Sequence, residues 1–451
     1  MAPAAGRIVN HSPLPLVSRR LLNLSEPWRV AVFLFVAAGL NYADRTALSS
    51  VIPPLRDDLG VTDAQIGLAG LLFLWTYAIA SPFAGNLADK YSRSKIVFWS
   101  ILIWSLITLL TGLSRNINEL LVLRAALGLA ESFYLPAAVA LLGAHHGPAT
   151  RGKAMGFHLI GLNLGVLLGG AFVGSLAEHY GWRPGFWILG VMGLVLAMGS
   201  KYFLSDRPAA AVATQPIPVH VTKPVHVTKP VHAAKPVEAW GYLLRTPSFH
   251  GLLLSAIVAG VASWTFLSWL PLFFSENYGM KLGAAGLAGV ALYKAPVLLG
   301  TGVGGWISDK AVRHNSRSRV MIKALSFLVS CPFLFFFIGA PTFALLATML
   351  IVSSFIRALG VPSEHAIICE VVPSQFRSTA VGIFNTCGSA AGGVGVLLAG
   401  LFKKEFGLNL IFGSCSLLYA VAGLMLLLVY YFFTAKDMAR AARHELPTAR
   451  Q

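Results

Sequence analysis

The chain has 451 residues, yet only 12% of them are charged, against ~25% in typical soluble domains. Hydrophobic types make up 56%, the mean hydropathy is +0.70, and Phe alone occurs 28 times. So few charges cannot cover that much apolar surface in water, and the same figures exclude disorder, collagen and a disulfide scaffold. The composition is that of a polytopic membrane protein.

The first 27 residues are polar, and the first apolar run is too long for a signal-peptide core and has no small-residue cleavage site after it. No cleaved signal is expected. A bilayer-spanning helix needs about 20 largely apolar residues. Twelve segments qualify, near 29–54, 64–88, 95–113, 118–143, 150–176, 185–204, 248–275, 283–308, 319–340, 342–370, 377–402 and 409–434. The predicted fold class is an all-α membrane protein with twelve transmembrane helices in two six-helix halves. Its expected parts are a terminal segment (1–28), a first bundle (29–205), a linker (206–246), a second bundle (247–434) and a tail (435–451). The linker holds a six-residue repeat, Val219–Pro224, Val225–Pro230 and Val231–Pro236. Proline at every sixth position blocks helix and suits an extended spacer. Its histidines read as solvated side chains, and no metal site is expected.

The net charge of +17 is distributed as in a membrane protein and not as in a nucleic-acid binder. On those spans, 25 of the 35 Lys and Arg residues fall in the termini and in loops on one side. Six fall on the other side (Arg56, Arg115, Arg183, Lys281, Lys403, Lys404) and four deep inside spans (Arg45, Arg124, Lys294, Arg357), those near span ends being counted with the adjoining side. This positive-inside pattern predicts a multi-pass protein of the cell membrane with both termini cytoplasmic. The bilayer is therefore an expected partner and nucleic acid is not. The four cysteines lie in apolar segments without metal-ligand spacing and read as buried thiols.

The halves echo each other, as two repeats of one unit would. Gly85…Asp89-Lys90 closes the second span and Gly305…Asp309-Lys310 closes the eighth. Arg124…Gly128…Glu131 has a counterpart in Arg357…Gly360…Glu364, with Arg and Glu seven apart in both. Arg151…Gly156 matches Arg377…Gly382.

With these residues the whole chain resembles the major facilitator superfamily. The stretch Gly85…Asp89-Lys90-Tyr91-Ser92-Arg93-Ser94-Lys95 matches the superfamily signature between helices 2 and 3, with Ser92 at the usual glycine. Asn41-Tyr42-Ala43-Asp44-Arg45, Trp104-Ser105, Arg124…Tyr134 and Ser330–Leu334 are similar to the Spinster lipid transporters. Asn41–Arg45 and Gly128…Glu131…Pro136-Ala137 equally resemble the anion:cation symporters of sugar acids and other organic anions. The resemblance implies a secondary active transporter working by alternating access, proton-coupled, with an anionic organic or lysolipid-like cargo. The alternative within the superfamily is a proton symporter of small organic anions such as sugar acids. A transport-inactive membrane sensor is the alternative from another class.

Ionisable groups at a helix centre cost at least ~2.5–3.5 kcal/mol each and mark functional positions. Asp44 and Arg45 are adjacent, so they point about 100° apart and need separate partners from other helices. Arg124 and Glu131 are two turns apart on one helix face. The resemblance implies proton coupling for Asp44 and Glu131, and gating or substrate binding for the arginines. The substrate-binding candidates are Arg45, Arg124, Lys294, Tyr42, Tyr134, His158, Trp264, Glu364 and His365. Asp89, Lys90, Arg93, Asp309, Lys310 and Arg357 are the gating candidates; the resemblance implies that the first five brace the closed cytoplasmic face, and Arg357 reads either as a structural gate or as part of the site. No Walker motif, Gly-rich dinucleotide loop or HExxH is present, so neither an enzyme nor a cofactor is expected. The transporter is expected to act as a monomer, with protons and an anionic or amphipathic small molecule as its partners.

Overall fold

The computed structural model describes residues 25–206, 236–339 and 342–445. The repeats over 219–235 lie outside the described residues, and so does the side chain of Asp89. The remainder is almost entirely helical.

The first span, α1 (Glu26–Ala47), runs into a tight turn at Leu48–Ser50 and a short helix, Ile52–Leu59. It is therefore shorter than the apolar run 29–54. Gly60, at φ 62°, stops the short helix in the left-handed conformation that glycine adopts without a Cβ penalty. A capping box between Thr62 and Gln65 starts α2 (Asp63–Lys90), and Ser92 caps α3 (Arg93–Thr111). Asn116 caps α4, which runs Ile117–Ser132 and resumes as Tyr134–His145. Pro136 has no N–H to offer the carbonyl four residues back, which explains the break at Phe133. The first half closes with α5 (Pro148–Tyr180) and α6 (Arg183–Phe203).

The second half opens with α7 (Pro247–Tyr278), α8 (Leu282–Val312) and α9 (Ser318–Leu334). Its fourth span, α10, runs Phe343–Ala358 and resumes as Val361–Val371, with Pro362 at the break. The helical run Arg377–Phe432 turns at Gly407, whose φ of 69° and ψ of 158° are not helical. It is two spans, α11 (377–406) and α12 (408–432). Ten described segments are long and apolar enough to cross a membrane, the last of them this double run. With α1, whose Asn41, Asp44 and Arg45 make it the most polar span, the chain has twelve transmembrane helices in two halves.

Within the first half α1 lies along α5 and α3 along α6, and within the second α7 lies along α11. Glycine permits the closest of these approaches. A Cβ on Gly165 of α5 would stand 2.0 Å from the Gly39 carbonyl oxygen of α1. Small residues at such crossings let backbones meet where lipid provides no hydrophobic drive.

The halves meet along two seams, α2 with α11 and α5 with α8. The ion pairs between them lie at the end of the bundle away from the chain termini, here called the far face. Arg56 reaches Asp63 of its own half at 2.5 Å and Glu276 of the other at 3.3 Å. Lys403 likewise reaches Glu276 of its own half at 2.8 Å and Asp63 of the other at 3.3 Å. Glu178 accepts the Gly283 amide at 2.8 Å beside them. Deeper in the seam, Trp75 donates from Nε1 to the Ala390 carbonyl at 2.9 Å.

Candidate functional site

In the first half, the charges of α1 find the separate partners that their angular offset requires. Arg45 donates from Nε to Glu131 Oε2 of α4 at 2.7 Å, with side-chain exposures of 8% and 0%. Its guanidinium also lies 4.4 Å from the ring centre of Tyr42 and 4.5 Å from that of Tyr77, so aromatic faces share its charge. Asp44 accepts from Thr108 Oγ1 of α3 at 3.2 Å.

These bonds leave the cluster half satisfied. Asp44 Oδ1, Glu131 Oε1, and Arg124 Nε and Nη2 are buried with no hydrogen-bond partner among the described residues. Asn41 Nδ2, Trp104 Nε1 and Ser105 Oγ share that condition. Native interiors leave only a few polar atoms orphaned, so this concentration makes the cluster the candidate site. A cavity of about 60 Å³ borders it, lined by Arg45 and Arg124 from the first half and Trp264, Trp269 and Val396 from the second. Two fixed cations, two carboxyls and an interface between halves can exchange a proton for an anion's contact with arginine.

The second half holds a different set. Lys294 of α8 and Arg357 of α10 both approach Tyr293, at 5.6 and 5.2 Å from its ring centre. Arg357 is also 5.8 Å from the ring of Tyr419. Lys323 of α9, only 2% exposed, pairs with Glu364 of α10.

The match to the family model described as "Major Facilitator Superfamily" extends over residues 34–340 and 290–449. The chain belongs to the major facilitator superfamily. This is a family of membrane transporters, which are not enzymes. Among curated relatives, the chain is 26% identical over 383 residues to a hexuronate transporter of Bacillus subtilis, covering 84% of this chain and 88% of that one. It is also 26% identical over 421 residues to a probable sulfoacetate transporter of Cupriavidus necator, covering 90% and 95%. Among solved structures it superposes on a bacterial homologue of the human lysosomal transporter Spinster, described as inward-facing and unoccupied. That match has a TM-score of 0.73 and 20% identity, covering 93% of this chain and 99% of that one.

As a major facilitator, the protein has its sequence-predicted site residues in three places. Tyr42, Asp44, Arg45, Arg124 and Glu131 gather in the first half, with Trp264 across the seam. Tyr134 and His158 stand apart from that cavity. Tyr134 donates to the Leu34 carbonyl at 2.8 Å, and His158 Nδ1 bonds the same oxygen at 3.1 Å, so both brace α1. Glu364 is engaged by Lys323, and His365 is exposed, its nearest ring being Phe384 at 6.0 Å. The gating candidates do not form one group. Asp309 pairs with Arg319 at 3.0 Å at the terminal face, while Lys310 lies 5.3 Å from the Trp306 ring. Arg93 donates to the Ala88 carbonyl at 3.4 Å, and Lys90 is exposed. Arg357 belongs instead with Lys294 inside the second half.

Sequence reasoning missed Lys323, which falls in the predicted span 319–340 but is counted with the adjoining loop; it lies inside α9. Its i,i+4 neighbour Phe327, whose ring is 4.2 Å from the ammonium, is the signal that reveals it. Arg319, paired with both Glu370 and Asp309, was passed over as well. So was the Arg56–Asp63–Glu276–Lys403 cluster, because its members come from helix ends in three stretches far apart in sequence.

Proposed function

We propose that the protein is a proton-coupled secondary transporter of small organic anions that works by alternating access. The observation that carries this reading is the buried Arg45–Glu131 pair, with Nε and Nη2 of Arg124 unpartnered among the described residues. Protonation of Glu131 neutralises the partner of Arg45 and frees its guanidinium fork for a carboxylate of the cargo. Loss of that proton restores the ion pair and expels the cargo. Asp44, one turn from Asn41 and bonded to Thr108, is the second proton acceptor. Charge neutralisation on binding favours rocking of the halves, since a neutral site crosses the low-dielectric seam at lower cost. The relatives named for hexuronate and sulfoacetate support an anionic cargo. With both termini cytoplasmic, as the basic loops favour, the far-face ion pairs close the outer side.

The test is uptake of labelled glucuronate and galactonate into proteoliposomes. Accumulation driven by an inward proton gradient and abolished by a protonophore supports the reading. Uptake that ignores the gradient removes the coupling, and no uptake of either acid removes the sugar-acid class.

One observation favours a lysolipid-like cargo instead. An apolar groove of about 790 Å³ runs between α1, α5 and α6, lined by Phe35, Val36, Leu164, Leu168, Phe172 and Val195. It is wide enough for an acyl chain. Competition of sugar-acid uptake by lysophospholipid separates the two.

A further inference from the structure

We infer that Lys294 and Arg357 form one anion subsite in the second half, built for a doubly charged anionic cargo, so that proton handling is confined to the first half while anion capture extends to the second. The inference rests on the organic-anion reading and names the charge class of its cargo.

The charge inventory of the two halves differs. In the first half Arg45 and Arg124 face Asp44 and Glu131, two cations to two acids. That set can neutralise itself and carries the groups able to take up protons. In the second half Lys294, Arg357 and Lys323 face Glu364 alone, and Lys323 already holds it. Lys294 and Arg357 have no hydrogen bond or ion pair with any described residue, and each lies over the same Tyr293 ring. Tyr293 is 3% exposed, and its hydroxyl has no partner among the described residues. Two like charges sharing one ring inside a membrane helix pair repel each other, and each pays its own desolvation cost. A structural role calls for a counter-ion, as Lys323 has in Glu364. Two uncompensated cations and a spare hydroxyl are instead complementary to a ligand of charge minus two, which offsets both costs on binding. The ring of Tyr419 lies 5.8 Å from the Arg357 guanidinium, and its hydroxyl is bonded to Ser263 at 3.2 Å.

The experiment measures thermal stabilisation and Kd of the full-length purified protein with two matched pairs, gluconate with glucarate and butyrate with succinate. Within each pair the partners differ by one carboxylate. At least one dianion is expected to bind ten-fold or more tightly than its monoanion. Lys294→Gln and Arg357→Gln should each erase most of that preference, and Lys294→Arg should keep it. Without ligand, Lys294→Gln should melt at a higher temperature than the wild type, because one of two repelling charges is gone. A purely structural lysine would give the opposite shift. Equal binding within both pairs in the wild type overturns the subsite whatever the variants do. A dianion preference that survives both Gln substitutions overturns it as well. Lysophosphatidate is the last arm, since its phosphomonoester brings the same charge on a lipid tail. Stabilisation by it alone, lost in Lys294→Gln, keeps the subsite and removes the solute reading. No response to any of the five ligands removes the subsite together with the organic-anion reading.

Discussion

Arg45 and Glu131, 86 residues apart in sequence, meet through a 2.7 Å bond from Nε to Oε2 in the interior of the first half. Both side chains are almost wholly enclosed, so neither can lose the other without taking a new partner or changing its charge. Arg124, on the same helix as Glu131, has two nitrogens unpartnered among the described residues.

Glu131→Gln keeps the shape of the side chain and holds it permanently in the uncharged state. Cargo binding should persist within a few-fold of wild type, and counterflow exchange should continue. Accumulation against a gradient should fall to the level of empty liposomes. Parallel measurement of exchange and proton-driven uptake in the same vesicles checks this, and wild-type accumulation by the variant would make Asp44 the next candidate.

The far-face cluster makes a prediction about conformation. Lys403 is the best-enclosed of the four side chains, 12% exposed, and ties both halves through Asp63 and Glu276. Networked surface pairs contribute up to ~1 kcal/mol, or about a five-fold shift in a two-state equilibrium. Lys403→Gln should populate the far-open state about that much more. Spin labels replacing Asp57 and Asn277 would report it as a longer, broader distance distribution. High salt should produce the same change in the wild type.

Gly286 of α8 tests whether the far face must close. A Cβ there would stand 2.7 Å from the Gly170 carbonyl oxygen of α5 and 3.1 Å from Ser50 Oγ, all in the opposite half. Gly286→Val therefore leaves the packing inside each half intact while wedging the halves apart. The variant should fold and insert normally, lose net uptake by at least ten-fold, and show the far-open label distance.

Asp58, outside the spans, makes the stability depend weakly on acid pH. A hydrogen bond from Trp182 Nε1 at 3.0 Å, aided by the Arg183 ion pair, holds its carboxyl below the usual carboxylate range against the opposing effect of burial. A depressed folded-state pKa means the contribution is complete above the unfolded value of about 3.9 and fades as pH falls through the lower folded one. Because the pair is partly exposed, Asp58→Asn should cost less than ~1 kcal/mol at pH 7. The gap between variant and wild type should close below about pH 4 in thermal melts.

Much of the fold was legible in the chain because a membrane imposes simple rules. Every backbone group must bond within its own helix, so length and apolarity alone mark out spans from α2 to α10. Internal matches such as Gly85…Asp89 with Gly305…Asp309 exposed the two halves, and Asp44, Arg45, Arg124 and Glu131 stood out because charge is costly in lipid. Which charge meets which was not legible. Adjacency in sequence sends Asp44 to α3 and Arg45 to α4, and only the packing of α1 against its neighbours decides those partners. Tyr134 and His158 carry the composition of a binding site, yet the closeness of α4 and α5 to α1 turns them onto the Leu34 carbonyl. Nothing in the span 319–340 says that Lys323 meets Glu364 of another helix, and the far-face cluster joins residues up to 340 positions apart. Local patterns determine what a helix costs to bury; the pairing of buried charges depends on distances that exist only once the helices have packed.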